Sequence, residues 1–372
     1  MSSLVIVHFQ PIEKYPPVVN FIRFVQQQPN YKNELHVITT HPGNGKSLID
    51  FPGVQVHRVE KWKKRSRIQR ALFYFFFNIK TLWVLLKCRP NRLMYYETLS
   101  AFGPWVYKKW INKKLSLFIH YHEYTSLQEY QTGMALCRWL YGKEKQLYPV
   151  ASWISHTNED RMSFFLNDIS STHSLRTYIL PNYPFSTWKD KASAVKKNLD
   201  HRIGFVYVGA LSMSTMHTRQ MAEFVAAHKD HCYWDIYSDN HTCEAIDFLE
   251  ALNAPNIYFK GAIPYDELPL VLPKYDIGVM LYTGDSPNYA YNAPNKFFEY
   301  YVCGLNNWFG VGMKGMYPYQ VANKKPWVQC VNFDELRWPD PKMALRSETL
   351  PESIYAAENV YKVLWDHLKA KN

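Results

Sequence analysis

The stretch from Tyr275 to Gly304 reads YDIGVMLYTGDSPNYAYNAPNKFFEYYVCG. Its opening, from Asp276 to Leu281, is a short apolar run between turn-forming residues, which is typical of a buried strand. A polar loop follows as far as Pro294, which suits the first turn of a helix, and Gly304 suits the end of that helix. The pattern therefore predicts a strand, a polar loop and a helix in that order.

Lys296 and Glu299 lie three residues apart in the first turn of this helix, so they share one face. A helix N-terminus attracts phosphate through its free N–H groups and its dipole, and a lysine there adds a point charge. A carboxylate one turn further in accepts hydrogen bonds from ribose hydroxyls. The spacing alone also fits an ordinary βα unit whose Lys and Glu form a solvated pair, so both interpretations stay open.

Two neighbouring motifs carry a resemblance to a known family. The run Asn295-Lys296-x-x-Glu299-Tyr300-x-x-x-Gly304, preceded by KYDIG at 274–278, resembles the donor-site signature of retaining, group-1 (family 4-like) GT-B glycosyltransferases. Upstream, YFKGAIPYDEL at 258–268 resembles the strand, glycine loop and helix that precede this signature. Many members carry two glutamates with seven residues between them, and the sequence departs from this pattern because Tyr291 occupies the first position.

The resemblance implies a transferase of class EC 2.4 that takes a sugar from a nucleotide-diphosphate sugar. Lys296 would neutralise the diphosphate, the backbone of residues 261–263 would hold the base, and Glu299 would hold the ribose. Arg219 is the nearest further candidate for the diphosphate, and it equally fits a solvated helix residue. The full set of residues implied in donor binding is Gly209, Arg219, Gly261, Ile263, Tyr282, Asn295, Lys296 and Glu299.

Polar, titratable residues follow a predicted strand that ends at His120. Open α/β sheets place ligands at the carboxyl ends of their strands, so His122 and Glu123 are expected to face a ligand. The resemblance implies that these two are catalytic, with His122 orienting sugar hydroxyls or donating a hydrogen bond near the reacting carbon. His120 is expected to bind the acceptor. A histidine satisfied by a neighbouring side chain is the alternative. In relatives the first βα loop is often glycine-rich and faces the donor phosphates or the acceptor, whereas here it has no glycine, so a site there would use side chains such as Gln10 and Glu13. An ordinary βα loop is the alternative.

The alternation of strands and helices occurs twice along the chain. It predicts an α/β protein with two doubly wound, Rossmann-like domains facing a cleft, which is the GT-B architecture. We place an acceptor-binding domain at 1–185, a polar, Lys-rich linker at 186–202 and a donor-binding domain at 203–350. The resemblance implies that a last helix within 351–372 crosses back onto the first domain.

Composition narrows the class of partner. The chain of 372 residues carries a formal net charge of +11, which favours polyanions such as anionic lipid or diphosphate ligands. Nucleic acid is the weakest candidate because no zinc-finger, recognition-helix or RNA-binding motif occurs. The six cysteines show no C-x-x-C pair and the start has no signal peptide, so we expect reduced thiols and a cytoplasmic location. With no Asp-x-Asp motif, we expect no metal and no cofactor.

An apolar, aromatic segment follows a basic cluster between residues 61 and 86. Asn78, Lys80 and Thr81 interrupt it, whereas a bilayer crossing needs about 20 mostly apolar residues. We interpret it as a helix partly buried against the first sheet. Cations followed by Phe and Trp also suit a helix at a membrane interface, and a peripheral contact with the inner face of the cell membrane stays open.

Relatives of this type often use glycan or lipid-linked acceptors, which suggests bacterial surface polysaccharide or lipopolysaccharide biosynthesis. Two alternatives remain. One is a GT-B sugar-nucleotide epimerase, which needs acid/base carboxylates that the sequence does not place. The other is a non-catalytic sugar-binding or scaffold protein, which Tyr291 and the glycine-free first loop would permit.

Overall fold

A computed structural model describes residues 3–28, 35–43, 48–60, 66–169, 174–196, 200–321, 324–338, 345, 349–352 and 354–370. The helices are α1 (Pro16–Gln26), α2 (Arg67–Cys88), α3 (Phe102–Val106), α4 (Leu127–Thr132), α5 (Ala135–Glu144), α6 (Glu159–Ile169), α7 (Thr187–Ser193), α8 (Thr218–Ala227), α9 (Cys243–Leu252), α10 (Leu268–Val271), α11 (Pro287–Ala290), α12 (Asn295–Val302) and α13 (Ala357–Lys369). The strands are β1 (Leu4–His8), β2 (Leu35–Thr40), β3 (Gln55–Val59), β4 (Arg92–Tyr96), β5 (Ser116–Tyr121), β6 (Trp153–His156), β7 (Thr177–Ile179), β8 (Ile203–Val208), β9 (Cys232–Tyr237), β10 (Ile257–Gly261), β11 (Ile277–Met280), β12 (Asn306–Gly310) and β13 (Val328–Val331).

The chain divides into two compact units. Unit 1 comprises Met1–Pro181 and Ala357–Asn372, and unit 2 comprises Asn182–Ala356. Within the described residues, the strand order is β3-β2-β1-β4-β5-β6-β7 in unit 1 and β10-β9-β8-β11-β12-β13 in unit 2. Every strand pair in both sheets is parallel. The predicted α/β class with two doubly wound sheets is therefore confirmed.

Each sheet has a switch point, where the chain turns from building one side of the sheet to building the other. In unit 1 it lies between β1 and β4, and in unit 2 between β8 and β11. Strands β1 and β11 are buried along their whole length, which is why both read as continuous apolar runs. Ligands of such sheets bind beyond the carboxyl ends of the strands at the switch point, so these two places are where a site is expected.

Helix α12 packs unusually close to β11 because a glycine makes room for it. A Cβ on Gly278 would stand 2.2 Å from the ring of Tyr300, so a side chain at this position would push the helix away. The Tyr300 hydroxyl also accepts a hydrogen bond from the Val208 N–H (2.9 Å), which connects the helix to β8. The first turn of α12 is thereby held at the switch point of unit 2.

Two segments near the domain boundaries are packed into the cores of the units. The range 186–202, predicted as a linker, contains helix α7, whose Trp188 and Ala192 are buried in the core of unit 2. The last helix, α13, packs on α1 in unit 1. There the Tyr361 hydroxyl donates to the Pro17 carbonyl (2.9 Å) and the Tyr361 ring makes an edge contact with Phe21. Both segments are rich in charged residues. Their buried aromatic residues, Trp188 and Tyr361, nevertheless determine where the two helices pack.

Candidate functional site

Lys296 lies at the switch point of unit 2. Its ammonium stands 4.2 Å from the centroid of the Tyr207 ring and 5.2 Å from that of Tyr282. A Cβ on Gly209, which has a φ of +130°, would lie only 2.9 Å from the Lys296 Nζ. The ammonium thus lies against the backbone of Gly209, where a Cβ would crowd it and where the φ of +130° favours glycine.

Burial dominates the electrostatics of Lys296 and its neighbour Glu299. Lys296 is 8% exposed and Glu299 is 5% exposed. Burial lowers the pKa of Lys296 to about 7, against the opposing effect of the Glu299 charge. Burial raises the pKa of Glu299 to about 7, opposed by Lys296 and by a hydrogen bond with Tyr265. The solvated pair considered from the sequence is therefore excluded, and two groups with strongly shifted titration lie together, as is common at functional sites.

The structure places the other residues implied in donor binding at several points of unit 2. Tyr282 follows β11 and stacks on Tyr289 with ring centroids 5.2 Å apart. Asn295 is the first residue of α12, one position before the buried lysine. Gly261 ends β10, where its carbonyl accepts a hydrogen bond from Ser238 (2.8 Å). Ile263 packs against the core cluster that contains Tyr300 and Tyr275.

Arg219 and Tyr291 have partners of their own. The Arg219 guanidinium is exposed, lies 3.7 Å from the Glu223 carboxylate and stands 4.2 Å from the Phe248 ring centroid. None of its described contacts is with Lys296 or Glu299. The Tyr291 ring lies 5.8 Å from the ammonium of Lys314. The described contacts place Lys296 at the carboxyl end of β8, beside Gly209 and Tyr207.

Unit 1 has a cavity of about 330 Å³ at its own switch point. The lining combines carboxyl, hydroxyl and imidazole groups with aromatic and aliphatic side chains. It consists of His8, Phe9, Gln10, Tyr15, Tyr96, Glu97, Thr98, Leu99, Ser100, Glu123, Thr125, Glu129, Tyr130, Gly133, Met134 and Cys137. Gln10 and Glu123 are thus at a common cavity, as expected for residues beyond the ends of β1 and β5.

Glu97 is a residue that the sequence analysis missed as a site residue. It follows β4 with φ +63° and ψ 152°, a backbone conformation that non-glycine residues rarely adopt and that costs about 1–3 kcal/mol. Its Oε1 accepts hydrogen bonds from the N–H groups of His122 (2.7 Å) and Glu123 (3.3 Å). Burial and the Glu123 charge raise the pKa of Glu97 to about 8, although the two N–H groups lower it.

His122 is buried in a stack of rings. Tyr96 and Tyr15 lie parallel or nearly parallel to it, at centroid distances of 5.1 and 5.8 Å. The Arg161 guanidinium donates to the His122 carbonyl (2.5 Å) and to the Thr157 hydroxyl (2.9 Å). Glu97 and Arg161 therefore hold the two polar backbone groups of His122 from opposite sides. We call this arrangement the Glu97–Arg161 clamp.

Two predicted acceptor residues are bound to other parts of unit 1. His120 is 1% exposed, and its Nδ1 shares a hydrogen bond of 2.8 Å with the Ser155 hydroxyl. Glu13 forms an ion pair of 2.6 Å with Arg58. Neither residue lines the cavity described above, whereas Gln10 does. For His120 the alternative from the sequence, a histidine satisfied by a neighbour, is what the structure shows.

Two of the three site residues missed from the sequence follow from one rule. His8 and Glu97 stand at the carboxyl ends of β1 and β4, the two strands that flank the switch point of unit 1. The same rule that singled out His122 after β5 could have found both. Arg161 carries no comparable signal, because it lies within helix α6 and reaches the clamp through the tertiary packing of α6 on β6.

No family model matches this sequence, and no curated protein matches it. Solved structures do match. HepE from Anabaena, in complex with UDP-glucose, is 9% identical with a TM-score of 0.64 and covers 99% of this chain and 90% of that one. Sucrose-phosphate synthase from Thermosynechococcus elongatus is 12% identical with a TM-score of 0.62 and covers 98% and 90%. UDP-GlcNAc 2-epimerase from Neisseria meningitidis, bound to UDP-GlcNAc, is 11% identical with a TM-score of 0.52 and covers 98% and 99%.

These similarities establish the fold. The chain has the GT-B fold, shared by the glycosyltransferases among these structures. At identities of 8–12% the similarity extends to the architecture and not to the chemistry of the site. Among the residues that the structure describes, no group of three or more His, Cys, Asp and Glu side chains is placed to hold a metal ion.

Proposed function

We propose that this protein is a glycosyltransferase that moves a sugar from a nucleotide-diphosphate sugar to a glycan or lipid-linked acceptor. The observation that carries the proposal is the buried Lys296–Glu299 pair at the switch point of unit 2, with Gly209 leaving room beside the ammonium. A buried ammonium beside the backbone of a glycine suits a phosphate group. The phosphate supplies the compensating negative charge in a place where little water can do so.

In the proposed reaction, Lys296 and the N–H groups at the start of α12 stabilise the charge that develops on the leaving diphosphate. Glu299 accepts hydrogen bonds from the ribose, and the backbone around Gly261 holds the base. The reaction is proposed to be metal-independent and to retain the anomeric configuration. The acceptor hydroxyl attacks from the face that the diphosphate leaves, and a donor phosphate oxygen takes its proton.

The proposed roles in unit 1 centre on the loop after β5. Glu123 lines the cavity and is proposed to contact the sugars directly. His122, held in its ring stack and by the Glu97–Arg161 clamp, is proposed to orient sugar hydroxyls or donate a hydrogen bond near the reacting carbon. Burial of both its ring and its backbone supports a positioning role over that of a freely titrating base.

A specific observation also favours the second candidate, a sugar-nucleotide epimerase. The sequence did not place a pair of acid/base carboxyls, but the structure places Glu97 and Glu123 at one cavity, where the charge of Glu123 raises the pKa of Glu97. Acid/base chemistry on a sugar needs two such groups at one site. UDP-GlcNAc 2-epimerases are also among the solved structures that share the fold.

A thermal-shift screen with UDP-, GDP-, ADP- and CMP-linked sugars, followed by assays with the stabilising sugar nucleotide, tests the proposal. We expect one base to stabilise the protein and the wild type to transfer the sugar to an acceptor. We further expect Glu299→Ala and His122→Ala each to lower transfer about 10²-fold. Conversion of the sugar nucleotide without an acceptor would instead identify an epimerase, and failure of every nucleotide to bind would identify a non-catalytic protein. Near-normal transfer by both variants would remove the assigned roles.

Helix α2 presents an apolar face to solvent, which supports a proposed contact with the membrane surface. By length and composition it could cross a membrane, yet its Phe77, Val84 and Leu85 are buried in the core of unit 1. Its opposite face exposes large apolar side chains, namely Ile68, Leu72, Phe75, Phe76, Ile79, Trp83 and Leu86. Of the basic cluster at 61–70, residues 61–65 lie outside the described residues, whereas Arg67 and Arg70 lie in the first turn of α2. Lys80 and Lys87 lie beside the Trp83 ring. Aromatics flanked by cations suit anionic headgroups.

Replacing Phe75, Phe76 and Trp83 together with serine is expected to lower binding to anionic vesicles at least about tenfold, because the apolar area that enters the interface is lost. Co-sedimentation with phosphatidylcholine vesicles, with and without phosphatidylglycerol, measures the effect. The matched control is Val363→Ser, an exposed apolar residue on α13, which should bind like the wild type. Wild-type protein that stays in the supernatant with both vesicle types would end the membrane proposal.

A further inference from the structure

The cavity of unit 1 has an unusual balance of charge for a sugar-transferring protein. Its lining includes the carboxyls of Glu97, Glu123 and Glu129, and contains neither lysine nor arginine among the described residues. Each carboxylate accepts hydrogen bonds and none donates when ionised. The exposed carboxylates of Glu123 and Glu129 therefore favour a ligand that brings hydrogen-bond donors or a positive charge to the cavity.

His8 adds an acceptor that is buried and has no partner among the described residues. It is 1% exposed and lines the cavity. Its Nδ1 lies 2.6 Å from the carbonyl of Gln10, and since a carbonyl can only accept, Nδ1 carries the proton. Burial lowers the pKa of His8 to about 4, so the ring is neutral at physiological pH and Nε2 has a free lone pair. A buried acceptor left without a donor costs free energy, but Nε2 has almost no accessible surface, so donors that enter the cavity meet the carboxyls and not His8.

We propose that this cavity binds a phosphate-free sugar, and that it holds an amino sugar more tightly than the corresponding hydroxyl sugar. The inference rests on the proposed function and names the class of sugar that unit 1 accepts. A sugar hydroxyl or ammonium donates to the exposed carboxylates of Glu123 and Glu129, while the part-exposed Tyr15 and Tyr130 line the cavity beside the carbon skeleton. A phosphate group would bring about two negative charges next to the carboxylates of Glu123 and Glu129, and the described lining residues include no lysine or arginine to offset them.

The proton on Glu97 gives the proposal a second measurable consequence. The titratable groups around it are Glu123 and His122 after β5, His8 after β1, Tyr15 near the start of α1, Tyr96 on β4, Glu129 and Tyr130 on α4, and Glu144 on α5. Its pKa of about 8 means that Glu97 is largely protonated at pH 7. An ammonium bound in the cavity favours the carboxylate, so binding of an amino sugar releases a proton from Glu97.

Saturation-transfer NMR on the full chain tests the ligand class with matched sets of sugars. Each set contains a methyl glycoside, the 2-amino sugar and the 6-phosphate, and the sets cover glucose, galactose and mannose. We expect binding in at least one set, with the amino sugar about five- to tenfold tighter than the glycoside and the phosphate not bound. Calorimetry of the amino sugar in buffers of different ionisation enthalpy should show proton release, and Glu97→Gln should abolish that release.

Charge reversal at the cavity provides the decisive variant. Glu123→Lys should weaken the amino sugar about five- to tenfold and allow the 6-phosphate to bind. Glu159→Lys, an exposed carboxylate on α6 outside the lining, is the matched control and should change neither. A 6-phosphate that binds wild-type protein as well as its glycoside, or a protein that binds nucleotide but none of the nine sugars, overturns the inference. Failure of the proposed function is separate, because it appears as loss of nucleotide binding at Lys296.

Discussion

Replacing Lys296 with methionine is expected to lower kcat/KM for sugar transfer by about 10²- to 10³-fold. Methionine keeps most of the buried volume but cannot offset the charge of the diphosphate at Gly209. Nucleotide binding, measured by calorimetry, should weaken in parallel because the same contact holds the ground state. The matched control is Lys274→Met, which removes an exposed lysine from the same unit and should leave transfer unchanged.

The same variant has a second expected effect, on the pH dependence of stability. The folded protein holds the pKa of Lys296 near 7, below its ordinary value of 10.5, so between these values the unfolded chain binds more protons. Lys296 therefore makes a contribution to the free energy of unfolding that increases from about pH 7 towards pH 10. In Lys296→Met this rise should be absent or reversed, since Glu299 then lies buried without its cation.

Urea unfolding of wild type, Lys296→Met and Lys274→Met at intervals from pH 7 to pH 10 measures this difference. The free energy of unfolding of the wild type and of Lys274→Met should increase with pH in the same way, and that of Lys296→Met should not. A variant that keeps both transfer activity and the wild-type pH profile would show that Lys296 is a structural lysine.

The Glu97–Arg161 clamp should behave as one functional unit. We expect Glu97→Ala and Arg161→Ala each to lower kcat for transfer about 10²-fold, because each releases one side of the His122 peptide. The double variant should lose little more than either single one, since the two side chains act on the same backbone position. A full double-mutant cycle on kcat and KM measures the coupling.

Glu97→Gln tests whether Glu97 acts by holding the His122 backbone in place or through its charge. Its amide oxygen can still accept the hydrogen bonds of the His122 and Glu123 N–H groups, so it should retain more activity than Glu97→Ala. Circular dichroism and unfolding curves show whether each variant is folded before kinetics are compared. Additive losses in the cycle would mean that Glu97 and Arg161 act independently and that no clamp exists.

Much of the candidate site of unit 2 could be predicted from local sequence patterns. Lys296 and Glu299 were identified because an apolar strand, a polar loop and a helix start occur in sequence, and their spacing puts them on one face. What the pattern could not decide was whether that face meets solvent or protein. The choice depends on Gly278 and Tyr300, which let α12 approach β11, and on Gly209, which lies about ninety residues earlier in the chain.

The site of unit 1 was predicted less completely for a related reason. His122 and Glu123 follow a strand that the sequence makes obvious, and Gln10 follows another. Glu97 and His8 stand at equivalent strand ends, yet their importance comes from lying on either side of the switch point, which depends on strand order. Glu13 and His120 lie at suitable positions in the sequence, but Arg58 and Ser155 occupy their polar groups.

The sequence by itself determined the α/β class, the two parallel sheets and the strand ends where polar residues gather, because these depend on periodicity and on short-range steric rules. Only the tertiary structure decided which of those residues are buried, paired or free to meet a ligand. The physical reason is that a pKa, a hydrogen bond or a cavity depends on neighbours that are remote in the chain, and the local sequence around a residue does not specify them.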